Sequence, residues 1–204
     1  MKTPLSVGSK RAGRRLKKAH EEGRTLMFID ESGFYPLPML VRTYAPRGET
    51  PVLSHWLTRD HLSIIGGVTP PGKLYFQVQE TAIKGPDGVR FLNHLLRQVP
   101  GPTTVLWDRA SIHRCQVVKD FLADLPYERL EVELLLAYAP ELNPEEGLWS
   151  YLKRVKLKNV CSQSLSALRQ EIRKATARLR QKVDVIFGCF QETGLYLDLY
   201  AEIR

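Results

Sequence analysis

Two short stretches, "TLMFID" at 25–30 and "TTVLWD" at 103–108, are largely apolar and each closes on an aspartate. They lack the alternation of a strand with one wet face and are too short for a buried helix or a membrane span. They read as strands covered on both sides. Such strands need helices above and below the sheet, which restricts the chain to a layered α/β architecture.

The rest of the sequence supplies those layers. "MLVRTY" at 39–44 and "LSIIGGV" at 62–68 are strand-like, with turn chemistry between them in "YAPRGETP". "KLYFQVQ" at 73–79 alternates like an edge or hairpin strand, completing an antiparallel set. From Pro86 the period changes: Val89, Leu92, Leu95, Leu96 and Val99 share a helical face, and "PGP" stops it. Ser111 is placed to cap a second helix bearing Val117, Val118, Phe121, Leu122 and Leu125, and "LEVELLLA" at 130–137 is the next strand. Asn143 opens a third helix with Leu148, Trp149, Leu152 and Val155 on one face, and a last amphipathic helix spans 164–182. Nothing after Gly188 has an assignable pattern. The division is a basic arm at 1–24, one domain at 25–190 and a tail at 191–204, and the alternation of strand and helix implies parallel pairing in its second half.

Charge is concentrated in the arm, where eight Lys/Arg face two Glu for a balance of +6, against +2 over the remaining 180 residues. Arg14, Arg15, Lys17 and Lys18 are candidates to lie on nucleic-acid phosphates, releasing counterions, with a solvated arm as the alternative. Lys153, Arg154, Lys156 and Lys158, beyond the third helix, carry the same pair of readings. No apolar run reaches the roughly 18 residues of a membrane span, the N-terminus lacks the apolar stretch of a secretory signal, and Cys115, Cys161 and Cys189 lack metal-ligand spacing. A protein away from membranes, in a reducing cytoplasm, is expected.

Three acids occupy matching positions. Asp30 and Asp108 close strands, and Glu145 or Glu146 opens the helix after the last strand; strand C-termini and helix starts form the ligand crevice of such sheets. Carboxylates from distant sequence meeting there suit hard divalent cations. Locally, Asn143 with a Glu at the third helical position also satisfies a capping box. On a helical wheel the apolar face points nearer to Glu145 than to Glu146, which leaves the choice between them open.

"FIDESGF", "WDRASIHR" and "YAPELNPEEGLWSYLK" resemble the three signature blocks of the DDE transposases of bacterial insertion sequences in the mariner superfamily. "VRTYAPRGETPV" resembles that family's turn between its second and third strands, and the blocks together span about 25–158. The resemblance implies a ribonuclease-H-like mixed sheet of about five strands flanked by helices, carrying metal-dependent DNA strand cleavage and strand transfer. It places the three metal-binding acids on Asp30, Asp108 and Glu146, holding two Mg2+ or Mn2+ ions. Glu145 falls where relatives often carry an apolar residue, and His113 matches a histidine that shapes the site. Arg109 stands where many relatives have Asn and is a candidate phosphate contact. Complete relatives carry a helix-turn-helix module, for which 24 residues are too short. The implied partners are therefore DNA, a second copy of the chain on DNA, and the product of an upstream frame, in the bacterial nucleoid. A non-catalytic DNA-binding remnant, an accessory transposase subunit and a host nuclease of the same fold are the alternatives.

Overall fold

The computed structural model describes residues 15–37, 39, 44–49, 52, 59–126, 128–135 and 140–194. Its centre is a five-stranded sheet in the order β3-β2-β1-β4-β5, formed by β1 (Thr25–Phe34), β2 (Leu62–Val68), β3 (Leu74–Gln79), β4 (Thr103–Trp107) and β5 (Leu130–Leu134). The β1–β2 and β2–β3 pairs are antiparallel, while β1–β4 and β4–β5 are parallel. This is the mixed sheet the sequence predicts. The strand at 39–44 lies mostly outside the described residues, as do Arg14 and the end of the 130–137 strand.

Among the described residues, six helices cover the two faces. Residues 15–21 form α1; α2 is Gly85–Gln98, α3 Gln116–Asp124, α4 Pro144–Tyr151, α5 Leu165–Leu179 and α6 Val183–Glu192. Alternation along β1 explains the layering. Leu26 and Phe28 enter a core with residues of α1, α4, α5 and α6, whereas Met27 and Ile29 enter a second core with Phe91, Leu92 and Leu95 of α2. A strand sandwiched this way must be apolar at consecutive positions.

Three sequence expectations change, and one segment left unassigned gains a structure. β1 does not end at Asp30: its ladder with β2 continues to the Phe34–Leu62 pair, so Asp30 lies mid-strand, two residues past the last β1–β4 pair, Phe28–Leu106. Ser111 starts a 3-10 turn, Ser111–Arg114, and α3 begins only after Cys115. The third helix is α-helical to Tyr151 and then widens into a π turn, Leu152–Lys156, closed by Leu157 N–H donating to Leu152 O at 2.8 Å. The extra residue in that turn keeps Leu152 and Leu157 buried and swings Val155 out to 49% exposure, so Val155 leaves the predicted apolar face. Finally, the segment after Gly188 continues α6, which buries Ile186, Cys189 and Phe190 at helical spacing.

The arm is partly built into the domain. Leu16 and Ala19 of α1 join the core, Arg15 pairs with Glu133 at 2.6 Å, and Arg24 donates to Thr104 Oγ1 at 2.7 Å and Thr103 O at 2.8 Å. Lys17 and Lys18 remain exposed. Residues 15–24 therefore anchor against β4 and β5, and the arm cannot be cut at 24 without opening the core.

Candidate active site

The site forms where β1 loses its parallel neighbour. Phe28 pairs with Leu106, and two residues further along each strand stand Asp30 and Asp108, the latter just past the end of β4. Strand alternation gives β1 two different acids at this point. Asp30 follows Phe28 onto the α4 face, and Glu31 follows Met27 and Ile29 onto the α2–α3 face.

Asp30 is held by α4. Trp149 Nε1 donates to Asp30 Oδ2 at 2.9 Å, and the Trp149 ring packs against Phe34 and Phe76. Gly66, paired with Asp30 across the β1–β2 ladder, makes room for it: a Cβ there would stand 2.7 Å from the Trp149 ring. At the start of α4, Asn143 Oδ1 accepts from Glu145 N–H at 3.1 Å while Asn143 Nδ2 donates to Ile29 O at 3.3 Å. The "NPEEGLW" segment is thus fastened to β1 at both ends, beside Asp30. Burial, reinforced by the negative charges of Glu146 and Glu31, pushes the Asp30 carboxyl up to about 7 against the pull of its hydrogen bonds from Trp149 and the backbone.

The two adjacent glutamates diverge. Glu146 is exposed and close enough to act electrostatically on Asp30 and on Lys153. Glu145 is fully buried, and neither of its carboxyl oxygens has a hydrogen-bond partner among the described residues. Burial, and then the charge of Asp30, raises its carboxyl well above the usual range. An apolar residue would suit that position.

Asp108 is held from the other side of the sheet. Its Oδ1 accepts from Ala110 N–H at 2.9 Å and lies 2.6 Å from His113 Nδ1, which also contacts Asp108 O at 3.2 Å. His113 is buried and stacked on Trp107 with ring centroids 3.9 Å apart, and its Nε2 lies 3.1 Å from both Glu31 oxygens. Trp107 Nε1 donates to Glu31 Oε1 at 3.1 Å. Burial lowers the imidazole pKa, but the hydrogen bond and charge of Glu31, with those of Asp108, outweigh it and hold His113 above its ordinary value. Both ring nitrogens face acceptor oxygens, which an imidazolium satisfies.

The cations separate by position. Lys153 is half-buried, donates to Ser32 Oγ at 2.8 Å and lies 5.0 Å from the Phe34 ring; burial lowers its pKa against the opposing charges of Glu146 and Asp30. Arg154 and Lys158 are exposed, and Lys156 lies over Tyr151. Arg109 donates to Leu135 O at 3.0 Å, tying the exit of β4 to the end of β5. Among the described residues, no three His, Cys, Asp or Glu groups stand as a ready cation cluster. No helix among them is long and apolar enough to cross a membrane.

A family profile described as DDE superfamily endonuclease matches residues 25–169, a span that contains all three acids. The chain belongs to the DDE superfamily of endonucleases. Solved structures agree on the fold. The Mos1 mariner paired-end complex with Mn gives a TM-score of 0.62 at 17% identity, covering 97% of this chain and 68% of that one. The Mos1 strand transfer complex gives 0.61 at 17%, covering 97% and 67%. The Mos1 catalytic domain alone gives 0.55 at 14% and is covered over 100% of its length by 97% of this chain. The sheet of this endonuclease is therefore ribonuclease-H-like. No curated protein matches it.

Two residues of the site carry no signal of their own in the sequence. Glu31 reads as part of the turn after the first strand, and Trp149 as core. The alternation of β1, extended one residue past Asp30, is the signal that would have turned Glu31 toward the face of Trp107.

Proposed function

We propose that this endonuclease is the catalytic domain of a transposase, cleaving strands at the ends of a mobile DNA element and joining the freed 3′-hydroxyl to target DNA. The reading rests on one observation: the DDE family match contains Asp30, Asp108 and Glu146, and the first two lie two residues past one strand pair with Glu146 acting on Asp30. Their donor set is all oxygen, the chemistry of hard cations such as Mg2+ or Mn2+, and the crowding of negative charge at Asp30 is what a bound cation relieves. A pair of such ions, when bound, supplies activation of the attacking oxygen and stabilisation of the leaving one in an in-line displacement at phosphate.

The chain's own residues do the rest. Trp149 fixes the Asp30 carboxylate, and Ala110 N–H with His113 takes up Asp108 Oδ1 and leaves Oδ2 for a ligand. Lys153, tethered to Ser32, is positioned to hold a phosphate oxygen of the DNA strand beside the acids. Lys17, Lys18, Arg154 and Lys158 offer exposed charge to the phosphate backbone. The proposed partners are transposon-end and target DNA, a second copy of the chain, and the product of an upstream frame carrying a helix-turn-helix.

The test is nicking and strand transfer by Glu145→Gln and Glu146→Gln. Activity should vanish with the second variant and persist with the first. Survival of activity in Glu146→Gln would exclude this assignment of the third acid.

A further inference from the structure

We propose that Glu31 is a positioning residue of the metal site, acting through His113 to fix the Asp108 carboxylate. The inference rests on the metal-site reading above and adds a residue that this reading does not require. Glu31 and Asp30 are neighbours on β1 and so face opposite sides of the sheet. On its own side Glu31 meets two donors brought from far along the chain: Trp107 Nε1 at 3.1 Å and His113 Nε2 at 3.1 Å to each oxygen. The His113 ring cannot swing, because it is stacked on Trp107 at 3.9 Å and its side chain is 1% exposed. Its other nitrogen thereby meets Asp108 twice, hydrogen-bonded to the main-chain O at 3.2 Å and 2.6 Å from Oδ1.

The route is short and rigid. Trp107 ends β4, and Asp108 is the next residue, half exposed and outside the strand ladder. Without an anchor, that carboxylate has the rotamer freedom of a loop residue. Glu31 removes the freedom at one remove, orienting the imidazole that orients the carboxylate, and Asp108 keeps one oxygen for a cation. Partners that orient a ligating side chain in this way typically contribute about 10–100-fold to metal affinity or activity. β1 therefore serves the site from both faces, with Asp30 as a ligand on one and Glu31 as the support of the second ligand on the other.

The experiment compares the wild-type 204-residue chain with Glu31→Gln, Glu31→Asp and Asp108→Asn. It measures the metal-free thermal melt, Mn2+ affinity by calorimetric titration, and nicking of duplex DNA as a function of Mn2+ concentration. Glu31→Gln should keep a cooperative melt, bind Mn2+ about 10–100-fold more weakly, and recover nicking at high Mn2+. Glu31→Asp, which keeps the charge, should fall between it and wild type. Asp108→Asn should lose Mn2+ binding and show no such recovery. Wild-type Mn2+ affinity in Glu31→Gln, with binding lost in Asp108→Asn, overturns the role of Glu31 and leaves the proposed function standing. Unchanged affinity in Asp108→Asn removes the metal-site reading and this inference with it. If Glu31→Gln does not fold, Glu31→Asp decides by the same criterion.

Discussion

Replacing Glu145 by leucine should stabilise this endonuclease, and more so as pH rises. The side chain is fully buried and both its oxygens lack partners among the described residues, so even when neutral it carries the cost of an unsatisfied polar group, about 1–3 kcal/mol. Ionisation adds a second cost. Its folded-state pKa lies well above the ordinary value of 4.5, so above that pH the folded chain retains a proton that the unfolded chain releases. Stability therefore falls as pH rises from the unfolded pKa toward the raised folded one, at a slope approaching about 1.4 kcal/mol per pH unit. Leucine has similar volume and no charge to desolvate. The gain should be about 1–3 kcal/mol near pH 4.5 and larger at pH 7, and the lower figure alone corresponds to a rise in Tm of several degrees, at about 2–4 °C per kcal/mol for a chain of this size. The assay is denaturant unfolding of wild type and Glu145→Leu from pH 4.5 to 8 without metal. Asp30 contributes its own decline to both proteins, so the difference between the two curves reports Glu145 together with its coupling to Asp30. A constant difference across this range would refute the buried-acid argument, and a destabilised variant would refute the packing argument.

Trp149→Phe keeps a ring against Phe34 and Phe76 but removes the bond to Asp30. It should cost roughly 1–3 kcal/mol of stability and, because that bond favours the Asp30 carboxylate, shift the pH at which Mn2+ binding is half-maximal upward; an unshifted titration would show that Trp149 only packs. Lys17→Gln with Lys18→Gln should flatten the dependence of log K on log salt for DNA binding by up to about 2, from ~0.9 per phosphate contact, with Tm unchanged. Deleting residues 1–24 should lower Tm as well, since it takes Leu16 and Ala19 out of the core.

The layered sheet was legible because β1 and β4 are apolar at consecutive positions, and α2 and α5 because their apolar residues recur at helical spacing. The helix-start acids were legible through the Asn-Pro that precedes them. Where β1 ends was not, since "ESG" has the composition of a turn and only pairing with β2 keeps it extended. α6 was hidden by Gly188, although Ile186, Cys189 and Phe190 carry the helical period across it. The roles of Glu31 and Trp149 depend on partners 76 to 119 residues away, a separation that no local pattern encodes.

The π turn after α4 works as a one-residue shim. A regular helix through 152–157 would carry successive side chains round at 100° each, and Leu152 and Leu157 would be about 140° apart, unable to face one core. Widening the turn brings both inward, with Lys153 beside Ser32 and Val155 outward. The register of the chain on either side is thus offset by a single residue. The segment that presents Lys153 and the segment that seals the core under it are set independently, so substitutions that retune one need not disturb the other. A deletion within 152–156 would couple them again.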